Sequence, residues 1–319
     1  MHKSSHSLPP LFLDRLREIF PRGRYEASVR LFASERPLTF RANRLKETPE
    51  RLREELKSQG FHLGRVSWYP DAFILPQELT RDLQRAPAYQ EGRLYIQGLS
   101  SMVPALILDP KPGEDVLDLT AAPGSKTTQL AALMGGEGGI LANDNNRVRF
   151  FKLKANVELM GARNVSLMCA YGEGLGRKFP GRFDRVLVDA PCSAEGRFDT
   201  NEPRTYRFWK PAKVREMARK QTRLLFSGLK ALKAGGRLVY STCTYAPEEN
   251  EGVLDKVITR MNGEVELEDL KLPFPNWMRG LKGWEGKTFH PTVEKAVRIL
   301  PTHEMEGFFI AAFRRNPSN

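Results

Sequence analysis

The chain has 319 residues with 50 Lys and Arg against 38 Asp and Glu, a net charge of +12, and 40% hydrophobic residues. That length builds a sizeable core with room for one large domain and a smaller one, and the basic balance selects polyanionic partners, nucleic acid first. No apolar run reaches the roughly 20 residues a bilayer span needs, LPPLFLDRL is too short and Pro-broken for a signal peptide, and three cysteines without C-x-x-C spacing argue against a disulfide framework and a metal site. The expectation is a cytoplasmic monomer without membrane or metal. Its charge is unevenly spread, with 14 Lys and Arg against 8 Asp and Glu in residues 1–65.

In chain order, residues 11–35 have helical spacing broken at Pro21, and LTFRANR (Leu38 to Arg44) alternates as a strand with Arg41 and Arg44 spaced for a basic face. Thr48 as N-cap, Pro49 in the first turn and Gly60 past the last turn frame a helix over ERLREELKSQG. Short strand-like pieces (VSWYP, AFILP) complete a compact α+β module over residues 1–94. From Tyr95 strands and helices alternate, the signature of a doubly wound, Rossmann-like α/β sheet over residues 95–319. DVLDLT, GILAND, NVSLMCA, DRVLVDA and GGRLVYSTC are its strands, and VRILPT and GFFIAAFRR, joined by a short link, are expected to pair antiparallel at one edge. There are no internal repeats.

Two strand ends carry the chemistry. Cys192 in VLVDAPCS and Cys243 in RLVYSTCTYAPEENE each follow an apolar run, with Pro191, Thr242, Thr244 and Pro247 turning strand into loop. Ligands of an open parallel sheet bind beyond the carboxyl ends of its strands, so both thiols can reach one substrate, an address for covalent chemistry. Cys169, inside VSLMCA, reads instead as a small buried hydrophobe.

DLTAAPGSKTTQ (Asp118 to Gln129) is a strand, a small-residue turn and a helix start, which leaves backbone N–H groups free for a ligand. Lys126 follows Ser125 rather than Gly, so this is no P-loop, and G-x-G-x-x-G is absent. A helix N-terminus also accepts a carboxylate such as the methionine end of S-adenosylmethionine (SAM), and Asn143 and Asp144 end the second strand where an acidic side chain binds ribose hydroxyls. Together these favour SAM over a nucleoside triphosphate.

Through DLTAAPGSKTTQ, ILANDNN with Arg149 and Asn156 downstream, VLVDAPCSAEG, RLVYSTCTYAPEENE and EGFFIAAFRR, nearly the whole chain resembles the Sun/RsmF family of RNA cytosine-5 methyltransferases. The paired PC and TC cysteines are the specific part of the likeness. An exocyclic-amine methyltransferase would carry an Asn/Asp-Pro-Pro-aromatic loop where DAPCS stands. The resemblance implies SAM as cofactor, a seven-stranded sheet with its last strand antiparallel, and a structured RNA (rRNA or tRNA) as substrate. Carbon 5 of cytosine is a poor nucleophile, so its methylation needs a thiolate added to carbon 6 and later a base that takes the carbon 5 proton.

Spacing does not choose between the thiols; the resemblance assigns attack to Cys243 and product release to Cys192. It makes Asp189 the group that holds the base, through the amino group and, if protonated, the ring nitrogen. It lines the methionine portion of SAM with Ala121, Ala122, Pro123, Gly124, Ser125, Lys126 and Thr127, puts Asp144 on the ribose, and sets Lys126 near the reacting groups.

The chain departs from the family pattern in AYGEG, where Gly172 takes the place of the acidic residue beside the adenine and Glu173 follows. In IQGLSSM, Gly98 likewise replaces an acidic residue. The sequence stops at Asn319 without the appended RNA-binding domain of longer relatives, so RNA docking is expected on the N-terminal module and basic helix faces. A paired cytosine must be flipped out, and Phe198, Tyr206, Phe208 and Trp209 with Arg197, Arg204, Arg207 and Lys210 are candidates to grip the displaced strand, Arg204 and Arg207 facing solvent beside the pocket. The competing readings are a SAM-dependent enzyme acting elsewhere, disfavoured by the thiol pair, and an RNA-binding factor that kept the fold without turnover.

Overall fold

The computed structural model describes residues 7–317. Helices α1 (Pro10–Ile19) and α2 (Tyr25–Arg30) lie either side of Pro21. In α3 (Pro49–Ser58) the Thr48 hydroxyl accepts from the Arg51 N–H at 3.3 Å and Gly60 takes a φ of +90° past the last turn, as the capping residues predict. Strands β1 (Leu38–Ala42), β2 (Gly64–Arg65), β3 (Ala72–Leu75) and β4 (Leu94–Ile96) form an antiparallel sheet in the order β2-β3-β1-β4, with α4 (Thr80–Arg85) and α5 (Pro87–Gln90) between its last two strands. β4 straddles the 94/95 boundary expected from the sequence and belongs to this small sheet. Leu8, Phe12, Leu16 and Phe32 pack with Phe198, Tyr206, Tyr245 and Leu300 of the larger domain, the Phe12 and Phe198 rings 4.8 Å apart.

The large sheet begins after α6 (Leu99–Leu108). β5 (Asp115–Asp118), β6 (Gly139–Asn143), β7 (Val165–Met168), β8 (Phe183–Asp189) and β9 (Leu232–Thr242) run parallel, connected through α7 (Ser125–Leu133), α8 (Arg147–Leu159), α9 (Leu175–Lys178) and α10 (Pro211–Ala231). After α11 (Glu251–Met261) come β10 (Val265–Leu267), β11 (Trp277–Arg279), the β12–β13 hairpin (Gly283–Trp284, Lys287–Thr288), β14 (Val297–Ile299) and β15 (Phe308–Arg315). β15 pairs antiparallel with both β9 and β14, as expected for the last two apolar segments. Short β10 and β11 bring the sheet to nine strands among the described residues, where the family resemblance implied seven.

Continuous apolar strands bury side chains on both faces of a sheet. Leu187, Val239 and Ile310 pack with α6 and α7 on one side, while Val186, Val188, Leu238, Tyr240 and Phe309 pack with α10 and α11 on the other. The edge strand β7 has a neighbour on one side only, and Cys169 just past it is exposed. This corrects the reading of Cys169 as a buried hydrophobe.

A second correction concerns Arg41, which is fully buried rather than part of a basic face. Its Nε donates to Gln97 Oε1 and its Nη2 to Ser125 O and Thr128 Oγ1, each at 2.9 Å, with the guanidinium 5.3 Å from the Tyr95 ring. Arg44 donates to Asp71 at 2.7 Å. β1 therefore ties the small sheet to the first turn of α7.

Arg298 on β14 meets Glu251 at the start of α11 in a buried pair, Nε to Oε1 at 2.6 Å, while Nη1 donates to Tyr245 O at 2.8 Å. Losing one partner strands the other charge in the interior, which costs ~3–5 kcal/mol. Arg298→Ala is expected to lower the urea-unfolding free energy by about that amount, against under about 0.5 kcal/mol for Arg17→Ala at an exposed ion pair.

Candidate active site

Parallel pairing of β8 with β9 sets Asp189 opposite Ser241, so the loops that leave these strands start side by side. Three ties hold the loops together. The Gly196 N–H donates to Cys243 O at 2.9 Å, Ser193 Oγ and Thr244 Oγ1 are 2.7 Å apart, and buried Glu195 accepts from the Tyr245 N–H at 3.0 Å and Trp209 Nε1 at 2.8 Å. Beneath them Glu249 accepts from the Ser193 N–H at 3.0 Å and Gln221 Nε2 at 2.7 Å, and burial pushes its carboxyl up to about 8. A neutral carboxyl there spares the loop a second buried negative charge.

The consequence is a Cys192 Sγ to Cys243 Sγ distance of 3.4 Å, both thiols half-buried at one cavity of about 450 Å³. The hydrogen bond to Cys243, then burial, pushes the Cys192 thiol well above the ordinary range. Arg197 lines the same cavity and pairs with Glu306 at 3.3 Å. Glu306, followed by Cys243, raises the Arg197 pKa and so secures a cation beside the thiols. The sequence reading assigned Arg197 only to the RNA path, because its proximity to Cys243 depends on the Gly196 tie.

Lys126 donates to Asp189 Oδ2 and Ser101 Oγ, each at 2.7 Å, and Ser241 Oγ donates to Asp189 Oδ1 at 2.8 Å. Both Lys126 and Asp189 line the same cavity, as do Ala121, Ala122, Pro123, Ser125, Asp144 and Gly172. Gly124 and Thr127 are not in its lining. Thr127 turns inward and donates to Asp118 Oδ2 at 2.7 Å. The turn is braced from α8: Asn156 Nδ2 donates to Pro123 O at 2.8 Å and Arg149 to Ala122 O. Asp144 accepts from the Asn146 N–H at 2.9 Å and the Ala122 N–H at 3.3 Å, and faces Arg149 at 3.3 Å.

Asp118, missed by the sequence reading, lines the cavity with Oδ1 buried and without a partner, and burial raises its pKa to about 7. Its place in DLT at the end of β5 was the available signal. Glu173 also lines the cavity with a buried, unpartnered Oε2. At Gly172 a Cβ would lie 2.8 Å from Leu224 Cδ2 and 3.3 Å from Leu119 Cγ, so a side chain there requires Leu224 to shift. At Gly98 a Cβ would stand 3.5 Å from Glu306 Oε1, so a carboxylate reaches that spot from the link between β14 and β15.

Of the aromatic residues after Cys192, Phe198 and Tyr206 are buried and Trp209 is spent on Glu195. Phe208 is 74% exposed with Arg207 4.5 Å from its ring. Arg204 and Arg207 face solvent, Arg204 pairing only with half-buried Glu202, though neither lines the cavity.

Residues 105–314 match the family model for 16S rRNA methyltransferase RsmB/F, and residues 8–98 match that for the N-terminal domain of 16S rRNA methyltransferase RsmF. The chain is 37% identical over 318 residues to ribosomal RNA small subunit methyltransferase F of Cronobacter sakazakii, covering 98% of this chain and 64% of that relative. It is also 37% identical over 278 residues to tRNA (cytosine(49)-C(5))-methyltransferase of Pyrococcus abyssi, covering 87% and 88%. Among solved structures, a methyltransferase homolog protein from Pyrococcus horikoshii superposes with a TM-score of 0.80 at 34% identity, covering 97% of this chain and 100% of that one. The chain spans less than two thirds of the length of its ribosomal relatives.

Gly196 is the tie most sensitive to an added atom, since a Cβ there would lie 2.3 Å from Gly307 O and 3.1 Å from Cys243 O. Gly196→Ala is expected to cost ~1–3 kcal/mol in urea unfolding through overpacking. Gly174→Ala, with open space around it, should change the same measurement by less than about 0.5 kcal/mol.

Proposed function

As the chain belongs to the RsmB/F methyltransferase family, we propose that it methylates carbon 5 of a cytosine in structured RNA through a transient bond to Cys243. The observation that carries this reading is the 3.4 Å approach of two thiols in a cavity shared with the Ala121–Lys126 turn. SAM fits the polar groups of that cavity and, when bound, supplies an electrophilic methyl group. Asp118 Oδ1 would meet its ammonium, the turn its carboxylate, Asp144 its ribose, and Glu173, in place of a side chain at Gly172, its adenine amino group.

Addition of the Cys243 thiolate to carbon 6 breaks the ring's aromaticity and makes carbon 5 nucleophilic. Arg197 lines the same cavity, and Asp189, held by Lys126 and Ser241, accepts from the exocyclic amine and orients the ring. After methyl transfer a base must take the carbon 5 proton so that the Cys243–carbon 6 bond can break. Cys192 suits that step for a physical reason. Its ionisation is opposed first by the hydrogen bond to Cys243 and also by that thiol's charge, and both vanish once Cys243 is bonded to carbon. The thiol thus becomes easier to ionise at the stage that needs a base.

Cys243→Ala should abolish methyl transfer from radiolabelled SAM to unmodified ribosomal or transfer RNA, with RNA binding kept because phosphate contacts dominate affinity. Cys192→Ala should accumulate a protein–RNA adduct that survives a denaturing gel. Full activity of the first variant, or normal product release by the second, overturns the assignment, and bisulfite mapping of total RNA with and without the protein identifies the cytosine. A folded RNA-binding protein that takes no SAM would instead favour the reading without turnover.

Asp118 gives a pH test. An ammonium favours the ionised carboxylate, so SAM affinity should rise about tenfold per pH unit below the carboxyl's pKa of about 7 and level off above it. Asp118→Asn should bind more weakly with that dependence lost, as read by calorimetry. In the free protein the sign reverses: the folded state holds a proton that the unfolded carboxyl has already released, so Asp118 makes stability fall as pH rises from about 4 to about 7.

A further inference from the structure

A second cavity, of about 330 Å³, lies between α9, α10 and α11, beyond the catalytic one. Five cations line it: Arg177, Arg223, Lys230, Lys256 and Arg260, all exposed. Among the described residues none of the five makes an ion pair. Elsewhere in the chain Arg93, Arg185, Arg237 and Arg298 each face a carboxylate. Two of the five are gathered by one ring, with Lys230 Nζ 4.9 Å and the Arg260 guanidinium 4.6 Å from the Phe226 centroid. Like charges concentrated in a hollow repel one another in the free protein, and an arrangement of this kind gains free energy when a polyanion enters.

The hollow adjoins the catalytic cavity. Glu173 lines both, and α10 spans them, with Lys220 and Leu224 lining the catalytic cavity and Arg223 and Phe226 the second hollow. We propose that this groove is a phosphodiester-binding site that holds the RNA backbone while the target cytosine occupies the catalytic cavity. The proposal rests on the reading of RNA as substrate. It gives a definite place to the basic helix faces on which the sequence puts RNA docking. An isolated phosphate would engage one or two of these groups, whereas five unpaired cations along three helices match the repeated charge of a strand.

The test uses the full chain and an unmodified small-subunit ribosomal RNA transcript. For the triple variant Arg223→Gln, Lys256→Gln and Arg260→Gln, affinity should fall on the order of tenfold at moderate salt. The slope of log affinity against log salt should shrink by about 2, as expected for three lost contacts to a single strand. SAM binding by calorimetry and the urea midpoint should stay at wild-type values. The pair Arg177→Gln and Lys230→Gln probes the same groove independently and should reduce the slope by more than about 1. Unchanged affinity and slope in both variants, with wild type binding the transcript, overturns the groove alone. Wild-type protein that fails to bind the transcript overturns the RNA reading and the groove with it.

Discussion

The in-register parallel pairing of β8 and β9, with Asp189 opposite Ser241, brings two distant stretches of chain to one cavity. Neighbouring strands stand ~4.8 Å apart, so thiols carried just beyond their ends meet only if both loops leave in matching directions. Gly196, Glu195, Ser193 and Thr244 impose that match through backbone and side-chain hydrogen bonds, and Glu249 anchors the first loop from below. The sulfurs themselves contribute little to this geometry, which belongs to the sheet and its ties.

Charge inside the cavity is balanced rather than uniform. Lys126 and Arg197 are each matched to a carboxylate, Asp189 and Glu306, so two cations stand near the thiols without an excess that would draw in arbitrary anions. Asp118 and Glu173 differ, each presenting a buried oxygen without a partner. An unsatisfied buried acceptor is costly in the empty protein, and its retention at two points of one cavity is what a donor-bearing ligand would compensate.

Local sequence was sufficient where a residue's place in the fold follows from short spacing. The PC and TC thiols, the AAPGSKT turn, Asp144 and the antiparallel final strand pair could all be placed from residues near one another in the chain. What escaped were assignments made by tertiary contact. Alternation placed Arg41 on a strand but could not say that its face would be covered by α7, so a structural guanidinium looked like an RNA contact. Phe198 and Tyr206 looked available until α1 closed over them. Asp118 and Arg197 acquire their character from burial and from Glu306, which lies more than a hundred residues from Arg197. Cys169 was misjudged because apolar neighbours do not reveal that β7 is an outer strand.

Arg41 carries an implication for how the chain divides. A guanidinium from the N-terminal sheet holds the Ser125 carbonyl and the Thr128 hydroxyl, within the helix turn that forms one wall of the reaction chamber. Excising the first sheet would leave that wall missing two of its struts. The N-terminal sheet is thus part of what shapes the cavity, through a single buried side chain.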